Sequence, residues 1–504
     1  MGDAAAMGAA AARCRSPRAA SSFAVFALVC STAGAAKVLV IGGTGRIGTA
    51  CATHLLRREP SLHVALAGRD AARGAAACEE VRRDAGHGDV SYAPLDYTSA
   101  SLDVAGYDAV VHVAGPFDGP LDEALRPLEA SVAAGVPVYV DVSDPLPYLD
   151  AARSMDAAAA AAGTTALVAA GAFPGMSNVL AMRCAEVLDG PVEDLSFSYF
   201  TAGLGGSGTV NLDITNYGFG PPMARYVDGA LAKCEAYAGT DLGTADYFLD
   251  GGDGRTEDVW AWPFPEAATV AEELAISGSS TAGMGTAPGA WNWMLRLLVA
   301  VVPRPWWETE RFSGGMARFS EPLVKLTDAF VGEDHAMRVE VFGGGRRVAA
   351  VQTHASFRDC VGQSCAEFVL DALAHPRPGV ACPEARYRPK GDRDRALARL
   401  LSTPGTVGAG CAVVEAKEEA PASGLFDAAV GASLAALAAG AVAIGASLLS
   451  TGLEPDNAGL GAPLTTDELA AMMTAAPPTS DVAEDIREDE AMMKIITGNR
   501  NRAR

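Results

Sequence analysis

Closely spaced cysteine pairs are missing from this chain. Its ten cysteines are scattered, none forms a Cys-x-x-Cys pair, and no group of cysteines and histidines has the spacing of a zinc site. Even Cys360 and Cys365, the two nearest in sequence, are best read as ordinary thiols. The pattern favours free thiols in a reducing compartment and predicts no metal site.

Positive charge is also scarce. Only 39 lysines and arginines face 61 aspartates and glutamates, which gives a formal net charge of −22, and the basic residues form no stripe. A protein that binds nucleic acid needs clustered Lys and Arg against the phosphates. The composition therefore excludes a nucleic-acid partner and predicts an acidic, solvated surface.

The catalytic Tyr-x-x-x-Lys pair of short-chain dehydrogenases is absent. Ser143 stands four residues after Tyr139, and Ala152 stands four residues after Tyr148. No lysine occurs between residues 37 and 233. The usual short-chain mechanism is therefore excluded for any dinucleotide site in this chain.

Tryptophan is missing from the first half of the chain. All six tryptophans lie between residues 260 and 307. The region before residue 170 instead has short apolar runs that alternate with helical segments. The contrast predicts two domains with different kinds of core.

Residues 37–48 combine a buried strand with a glycine-rich turn. The apolar run 38–41 leads directly into Gly42, Gly45 and Gly48, and an amphipathic helix follows. In this context the first glycine allows a tight turn, the second lets the backbone approach a pyrophosphate, and the third lets the helix pack close to the strand. The phosphates then lie on the N–H groups at the positive end of the helix. The run predicts a dinucleotide site; the alternative is a glycine-rich loop of another α/β protein.

Five further apolar runs follow the first strand, with helical segments between them: 62–67, 90–94, 109–113, 138–142 and 165–169. Strands that alternate with helices at this spacing predict βαβ units with right-handed crossovers. We therefore predict an α/β fold with a doubly wound parallel Rossmann sheet and a second, α+β domain. The predicted parts are a Rossmann domain at 37–175, a substrate domain at 176–355, return helices that pack on the Rossmann domain at 356–404, and a tail at 405–504.

The end of the second strand bears on the choice of cofactor. An NAD enzyme usually has an acid here, about 20 residues after the last motif glycine, to bind the ribose 2′-hydroxyl. This chain has Gly68 and then Arg69. The glycine leaves room for a 2′-phosphate and the guanidinium can bind it, which favours NADP over NAD. Asp70 is expected to cap the next helix, and a solvated Arg69 is the alternative.

Further cofactor contacts are expected where other strands end. Asp96 follows the third strand and is placed either to reach the adenine or to cap a helix. The turn after the fourth strand, residues 114–117, is expected along the ribose and nicotinamide. The predicted cofactor-binding residues are Gly42, Thr44, Gly45, Arg46, Ile47, Gly48, Arg69, Asp96, Ala114, Gly115, Pro116 and Phe117.

A proton donor is harder to identify from the sequence. His112 is the only histidine on the predicted active rim, and Asp141 and Asp144 flank the end of the fifth strand. His112 and Asp141 are therefore catalytic candidates, because reduction of a carbonyl or imine also needs a proton. A satisfied strand-end histidine and helix-capping aspartates are the alternative readings.

Both ends of the chain look like additions to this core. Residues 1–36 are rich in Arg, Ser and Ala and poor in acids, which predicts a targeting peptide for a plastid, with a mitochondrion or the secretory pathway as alternatives. Residues 428–449 carry no charge over 22 residues. That length can span a bilayer, but the Ala-rich composition fits a packed soluble helix equally well. A membrane tether through this segment thus stays open.

Several motifs identify a family resemblance. The chain resembles saccharopine dehydrogenase-like oxidoreductases, in particular the plastid-type members of plants and algae, from about residue 37 to 387. The resemblance implies an NADP-binding Rossmann domain followed by a saccharopine dehydrogenase-like C-terminal domain. It also places the Pro-Gly-x-Ser-Asn turn beside the cofactor, which makes Asn178 a third catalytic candidate. The motifs that carry it lie at 114–117, 139–144, 171–178, 199–203, 205–208, 285–293 and 378–384.

The expected activity is hydride transfer between NADP(H) and a small carbonyl, imine or enoyl substrate. True saccharopine reductases take a substrate with several carboxylates, yet the stretch 171–224 has one basic residue, Arg183. The substrate is therefore expected to be less anionic or apolar. Because the Tyr/Lys pair is missing, a non-catalytic NADP-binding sensor or scaffold is the alternative. The sequence is also compatible with a homodimer.

Overall fold

The computed structural model describes residues 35–414, except 116, 203–211, 213–214, 221, 235–238 and 250–254. These residues all fall within one compact unit, 1–431. Residues 1–34 of the predicted targeting peptide and the apolar segment 428–449 lie outside the described residues. Within the described part of the chain, no helix is both long and apolar enough to cross a bilayer.

The first sheet is parallel throughout and has the order β3-β2-β1-β4-β5-β6-β15. Its first strand is buried, since Val38–Ile41 are at most 1% exposed. The order reverses between β1 and β4, which opens the crevice where such sheets bind ligands. The strands are β1 (Lys37–Ile41), β2 (His63–Gly68), β3 (Asp89–Pro94), β4 (Ala109–His112), β5 (Val138–Asp141), β6 (Thr165–Leu167) and β15 (Gly379–Ala381).

The second sheet is mixed and has the order β10-β11-β12-β7-β13-β14-β16. Gly344 and Gly345, both with positive φ, close the β13–β14 hairpin, as the Gly-rich turn predicts. The strands are β7 (Asp194–Ala202), β10 (Asp241–Asp246), β11 (Thr256–Ala261), β12 (Ser280–Ala287), β13 (Asp334–Gly343), β14 (Arg346–His354) and β16 (Thr406–Val414), with a separate hairpin of β8 (Met223–Val227) and β9 (Ala230–Cys234). The α/β class and the second domain on its own sheet are thus confirmed.

Helices cover the sheets. The described helices are α1 (Arg46–Arg58), α2 (Ala71–Ala85), α3 (Leu121–Ala134), α4 (Leu146–Ser154), α5 (Asp156–Ala162), α6 (Met176–Leu188), α7 (Glu266–Leu274), α8 (Ala290–Val301), α9 (Arg304–Trp307), α10 (Glu310–Val331), α11 (Phe357–Ala374), α12 (Pro383–Arg386) and α13 (Lys390–Leu400). Helix α11 returns to α1 at a close crossing, where a Cβ on Gly362 would lie 2.7 Å from the Cβ of Ala50.

Two strands depart from the domain boundaries that the sequence suggests. β15 returns from beyond the second domain and adds a seventh strand to the first sheet beside β6. β16 pairs with β14, so residues 406–414 belong to the second sheet and not to the tail expected from residue 405. Seven of the described cysteines are free thiols: Cys51, Cys78, Cys184, Cys360, Cys365, Cys382 and Cys411.

Candidate functional site

A cavity of about 570 Å³ lies at the carboxyl ends of the parallel strands. One side is formed by the glycine turn and the ends of β2, β4 and β5, and the other by residues of the second sheet and of α11. Ten of the predicted cofactor-binding residues line it: Gly42, Thr44, Gly45, Arg46, Ile47, Gly48, Arg69, Ala114, Gly115 and Phe117.

The glycine turn has the close contacts that its spacing predicts. Gly42 has a φ of 81°, and a Cβ there would lie 2.7 Å from the backbone N of Ala114. A Cβ on Gly48 would lie 2.3 Å from the carbonyl oxygen of Gly42, so α1 can approach the turn only without a side chain. Gly45 gives α1 no side-chain cap. The N–H groups of the first turn of α1 are therefore left for a ligand.

The end of β2 forms a second, basic part of the cavity wall. Gly68 packs against Thr44, whose Oγ1 would be 2.8 Å from a Cβ at residue 68. Asp70 accepts hydrogen bonds from the backbone of Ala72 and Arg73, so it caps α2 and leaves the guanidinium groups to a phosphate. Arg69 and Arg73 both line the cavity. Arg73 lies in the first turn of α2, four residues after Arg69, and is not among the cofactor-binding residues predicted from the sequence.

Asp96 does not line the cavity, although its neighbours Leu95, Tyr97 and Thr98 do. Its carboxylate accepts hydrogen bonds from the backbone N (3.1 Å) and Oγ1 (2.8 Å) of Thr98. These hydrogen bonds lower the pKa of Asp96. The Asp96 carboxylate is therefore engaged within its own turn, and its position gives no support to the predicted adenine contact. Pro116 lies outside the described residues.

His112 is buried beneath the cavity and does not line it. Its ring packs between Tyr97 and Phe117, with centroid distances of 5.0 and 4.7 Å, and its Nδ1 lies 3.3 Å from the hydroxyl of Tyr139. Burial lowers the pKa of His112 to about 3, so the ring is neutral. A neutral, enclosed imidazole supports the reading as a strand-end core residue and gives no support for catalysis.

Asp141 is likewise buried and does not line the cavity. Its carboxylate accepts hydrogen bonds from Ser143 Oγ and the Tyr148 hydroxyl, both at 2.6 Å, and from the backbone N of Ala169 at 3.0 Å. Ala169 has a φ of 58°, a conformation that this hydrogen bond helps to hold. Asp141 thus fixes the loops after β5 and β6, and it is not placed to touch a substrate.

Asn178 occupies the junction that the family resemblance predicts. Its Oδ1 accepts a hydrogen bond from the backbone N of Gly175 at 2.9 Å, and its Nδ2 donates to Glu384 at 2.8 Å. The side chain is buried and does not line the cavity. It ties the start of α6 to α12, so the catalytic role proposed for it is not supported by its position.

Two described carboxylates line the cavity, Asp70 and Asp144. Asp70 caps α2, whereas Asp144 follows β5. Burial and repulsion from Asp118 raise the pKa of Asp144 to about 7. A carboxyl group with this pKa can both donate and accept a proton near neutral pH. The sequence placed it beside Asp141 at the end of β5, but could not show which of the two faces the ligand.

The side of the cavity opposite the glycine turn is an aromatic wall, formed by residues of the second domain together with the connection between β6 and α6 and with α11. Phe173 stacks on Tyr199 with a centroid distance of 4.1 Å and meets Phe264 edge-on at 5.4 Å. Behind it, the Tyr199 hydroxyl donates to the buried carboxylate of Glu266. The cavity residues on this side, as far as the structure describes them, carry no charge: Phe173, Pro174, Thr201, Thr215, Trp262, Phe264, Met284, Phe357 and Val361.

One family model matches the first domain. Residues 38–167 match the family described as the saccharopine dehydrogenase NADP binding domain. This match agrees with the resemblance that the motifs of the first domain carry. A comparison with curated proteins gives no match.

Solved structures show more distant similarity. A protein named Pen from Bacillus thuringiensis is 21% identical over 27% of this chain and 51% of its own, about half its length, with a TM-score of 0.23. A protein of gentamicin A biosynthesis in complex with NAD is 14% identical over 76% of this chain and 97% of its own, with a TM-score of 0.33. A 3-ketoreductase from Actinomadura kijaniata in complex with TDP-benzene and NADP is 13% identical over 73% of this chain and 96% of its own, with a TM-score of 0.30.

Proposed function

We propose that this chain is an NADP(H)-dependent oxidoreductase that transfers a hydride between the cofactor and a carbonyl, imine or enoyl substrate. The observation that carries the proposal is the single cavity that joins the glycine turn to the aromatic wall. A cofactor on one side and a substrate on the other would meet there. The family of the first domain supports the cofactor side of the proposal.

The residues present fit an NADP molecule. The first turn of α1, left without a side-chain cap at Gly45, would bind the pyrophosphate. Arg69 and Arg73 would bind the 2′-phosphate, with Thr44 beside them. Ala114 would lie along the ribose and nicotinamide. When bound, the cofactor supplies or accepts the hydride, and the protein supplies orientation and electrostatics.

Asp144 is proposed as the proton donor in the direction of reduction. As hydride adds to the substrate carbon, negative charge develops on the carbonyl oxygen or imine nitrogen, and a protonated Asp144 would neutralise it. Its pKa of about 7 leaves a large protonated fraction near neutral pH. Phe173, Phe264 and Trp262 would exclude water from the reacting atoms, which strengthens the interactions inside the site.

The test is turnover of NADPH by the full chain with a panel of carbonyl, imine and enoyl compounds. The proposal expects NADPH oxidation with at least one class and slower oxidation with NADH at equal concentration. If NADPH binds but is not oxidised in the presence of any compound of the panel, or of extracts of the native compartment, the sensor or scaffold is favoured instead. No NADPH binding at all would overturn both readings.

The composition of residues 1–36 supports a narrower proposal, that the protein is a plastid-type member of the family and is imported into plastids. The test is a fluorescent fusion to residues 1–36 in an algal or plant cell. Plastid fluorescence is expected. Mitochondrial or secretory fluorescence would replace the plastid assignment and leave the activity unaffected.

A further inference from the structure

A second pocket of about 40 Å³ adjoins the main cavity on the side of the second domain. The two share Thr215, Trp262 and Met284 as walls, so a ligand could extend from one into the other. Their common wall is uncharged. The proposed reaction does not use this second pocket.

Two residues that line this pocket, Trp260 and the exposed Arg296, carry hydrogen-bond donors. Trp260 is 7% exposed, and its Nε1 is buried with no hydrogen-bond partner among the described residues. The guanidinium of Arg296 lies 5.1 Å from the Trp260 ring centroid and 5.3 Å from that of Trp293. Indole N–H and guanidinium groups donate hydrogen bonds and accept none. The end of the pocket therefore calls for a group that accepts hydrogen bonds and carries negative charge.

The wall around these donors is fixed in place. Asn292 on α8 accepts a hydrogen bond from the backbone N of Thr286 at 3.0 Å and donates one to its carbonyl oxygen at 3.1 Å. This pair ties the end of β12 to the helix that carries Leu295 and Arg296. The amide of Asn292 is thus used within the wall, which leaves Trp260 and Arg296 to meet a ligand.

We propose that this pocket is a subsite for the far end of the substrate, and that the substrate is an apolar carbonyl or enoyl compound that ends in a carboxylate. The reacting carbon would lie in the main cavity, the apolar chain would pass Trp262 and Met284, and the carboxylate would meet Trp260 Nε1 and Arg296. The proposal rests on the proposed function for the reacting end. Its binding half can be measured without turnover.

The binding test uses the full chain saturated with NADP⁺, so that the cofactor side of the cavity is filled, and decanoate as the probe. Decanoate is expected to quench tryptophan fluorescence at saturation, because all six tryptophans lie in the second domain. The Trp260→Phe and Arg296→Gln variants should each raise the Kd at least about fivefold, since each loses a hydrogen bond to a charged group. Arg318→Gln, an exposed change on α10 away from the pocket, is the matched control and should leave the Kd unchanged.

A Leu295→Trp variant, which fills the pocket, should abolish decanoate binding while NADPH binding stays normal. The proposal is overturned if decanoate does not bind, or if it binds the three pocket variants as tightly as the wild type. In the turnover arm, an ω-oxo carboxylate is compared with the matching alkyl aldehyde. Arg296→Gln should lower kcat/KM for the oxo acid only. Decanoate binding without turnover of any compound would leave this subsite standing and reject the proposed function.

Discussion

Arg69 carries the cofactor preference because it is the charged group next to the strand-end glycine. Arg69→Ala is expected to weaken NADPH binding by about 1–3 kcal/mol, the range for hydrogen bonds to charged groups, and to leave NADH binding nearly unchanged. Calorimetric titration of both cofactors measures the difference. Arg83→Ala on the outer face of α2 is the matched control, because Arg83 pairs with Asp84 and does not line the cavity. Equal losses for NADPH and NADH would contradict the NADP assignment.

Asp144 should set the pH dependence of the reduction. Its raised pKa of about 7 means that the carboxyl is protonated below this pH and loses its proton above it. We therefore expect kcat/KM for reduction to fall as the pH rises through about 7. Asp144→Asn should lower kcat at least about 100-fold, the lower range for general acid catalysis. In this variant kcat/KM should no longer fall as the pH rises through about 7.

Asp150→Asn, an exposed change on α4, is the control for Asp144→Asn. A variant at Asp144 that keeps both full activity and the fall of kcat/KM with pH would exclude it as the proton donor. A variant that loses the activity but keeps this pH dependence would assign the titration to another group.

Residue chemistry predicted the cofactor contacts better than the proton donor. The glycines let the backbone come close to the phosphates, and Arg69 is identified by its place at the end of β2. Both features can be predicted from a short stretch of sequence. His112, Asp141 and Asp144 all sit at strand ends, and the sequence cannot tell which of them faces the cavity. That depends on side-chain packing in three dimensions, such as the contacts of His112 with Tyr139 and of Asp141 with Tyr148.

The turn between β1 and α1 should tolerate no side chain at Gly48. A Cβ there would lie 2.3 Å from the carbonyl oxygen of Gly42, so Gly48→Ala must move α1 away from the turn. The displacement should weaken NADPH and NADH binding alike by at least about tenfold, unlike Arg69→Ala. Gly190→Ala, where a Cβ meets nothing within 4 Å, is the control. Normal binding of both cofactors by Gly48→Ala would contradict the phosphate site.

Helices α1, α11 and α13 are joined by a buried carboxylate. Glu367 lies 2.7 Å from His54 Nε2, 2.8 Å from Arg58 Nε and 2.6 Å from Arg399 Nε. Burial opposes its ionisation, but the hydrogen bond from His54 and the charge of Arg399 outweigh burial and lower the pKa of Glu367 to about 2. This carboxylate therefore links the Rossmann domain to the helices that return to it.

The lowered pKa of Glu367 gives the protein a pH-dependent stability. The contribution is complete above the ordinary pKa of 4.5 and is lost as the pH falls towards about 2. Glu367→Gln should lower the free energy of unfolding at neutral pH by about 3–5 kcal/mol, as for a broken buried ion pair. The free energy of unfolding of the variant should also fall less steeply than that of the wild type as the pH is lowered from 4.5 to about 2. Chemical denaturation across pH measures both effects.

Asp84→Asn, which breaks the exposed pair with Arg83, is the control for Glu367→Gln and should cost less than about 1 kcal/mol. If Glu367→Gln is as mild as this control, the carboxylate does not stabilise the helix junction.

The strands of the first sheet could be predicted where apolar runs alternate with helices. Most of the predicted boundaries agree with those of the structure within one or two residues. β15 was missed because it is only three residues long and because it pairs with β6, which lies on the other side of the second domain in the sequence. β16 was missed because its glycine- and alanine-rich sequence has no strand pattern, and pairing with β14 fixes it. Local patterns record neither kind of long-range pairing.

The whole molecule places two chemically different walls around one cavity. The ends of the parallel strands and their loops provide the basic, glycine-lined wall. The loop after β11, the connection between β6 and α6, and α11 provide the aromatic wall. The return of α11 and β15 to the first domain holds both walls in one compact unit. We therefore expect hydride transfer to take place between the two walls.

The most direct test is to follow deuterium from NADPH labelled at C4 of the nicotinamide, using the full chain and a mixed panel of carbonyl, imine and enoyl compounds. Mass spectrometry then asks whether any product carries the label. The account predicts a deuterated product with the wild type and much less with Gly48→Ala. Labelled NADPH that binds but keeps its deuterium in the presence of every compound would contradict the proposed oxidoreductase.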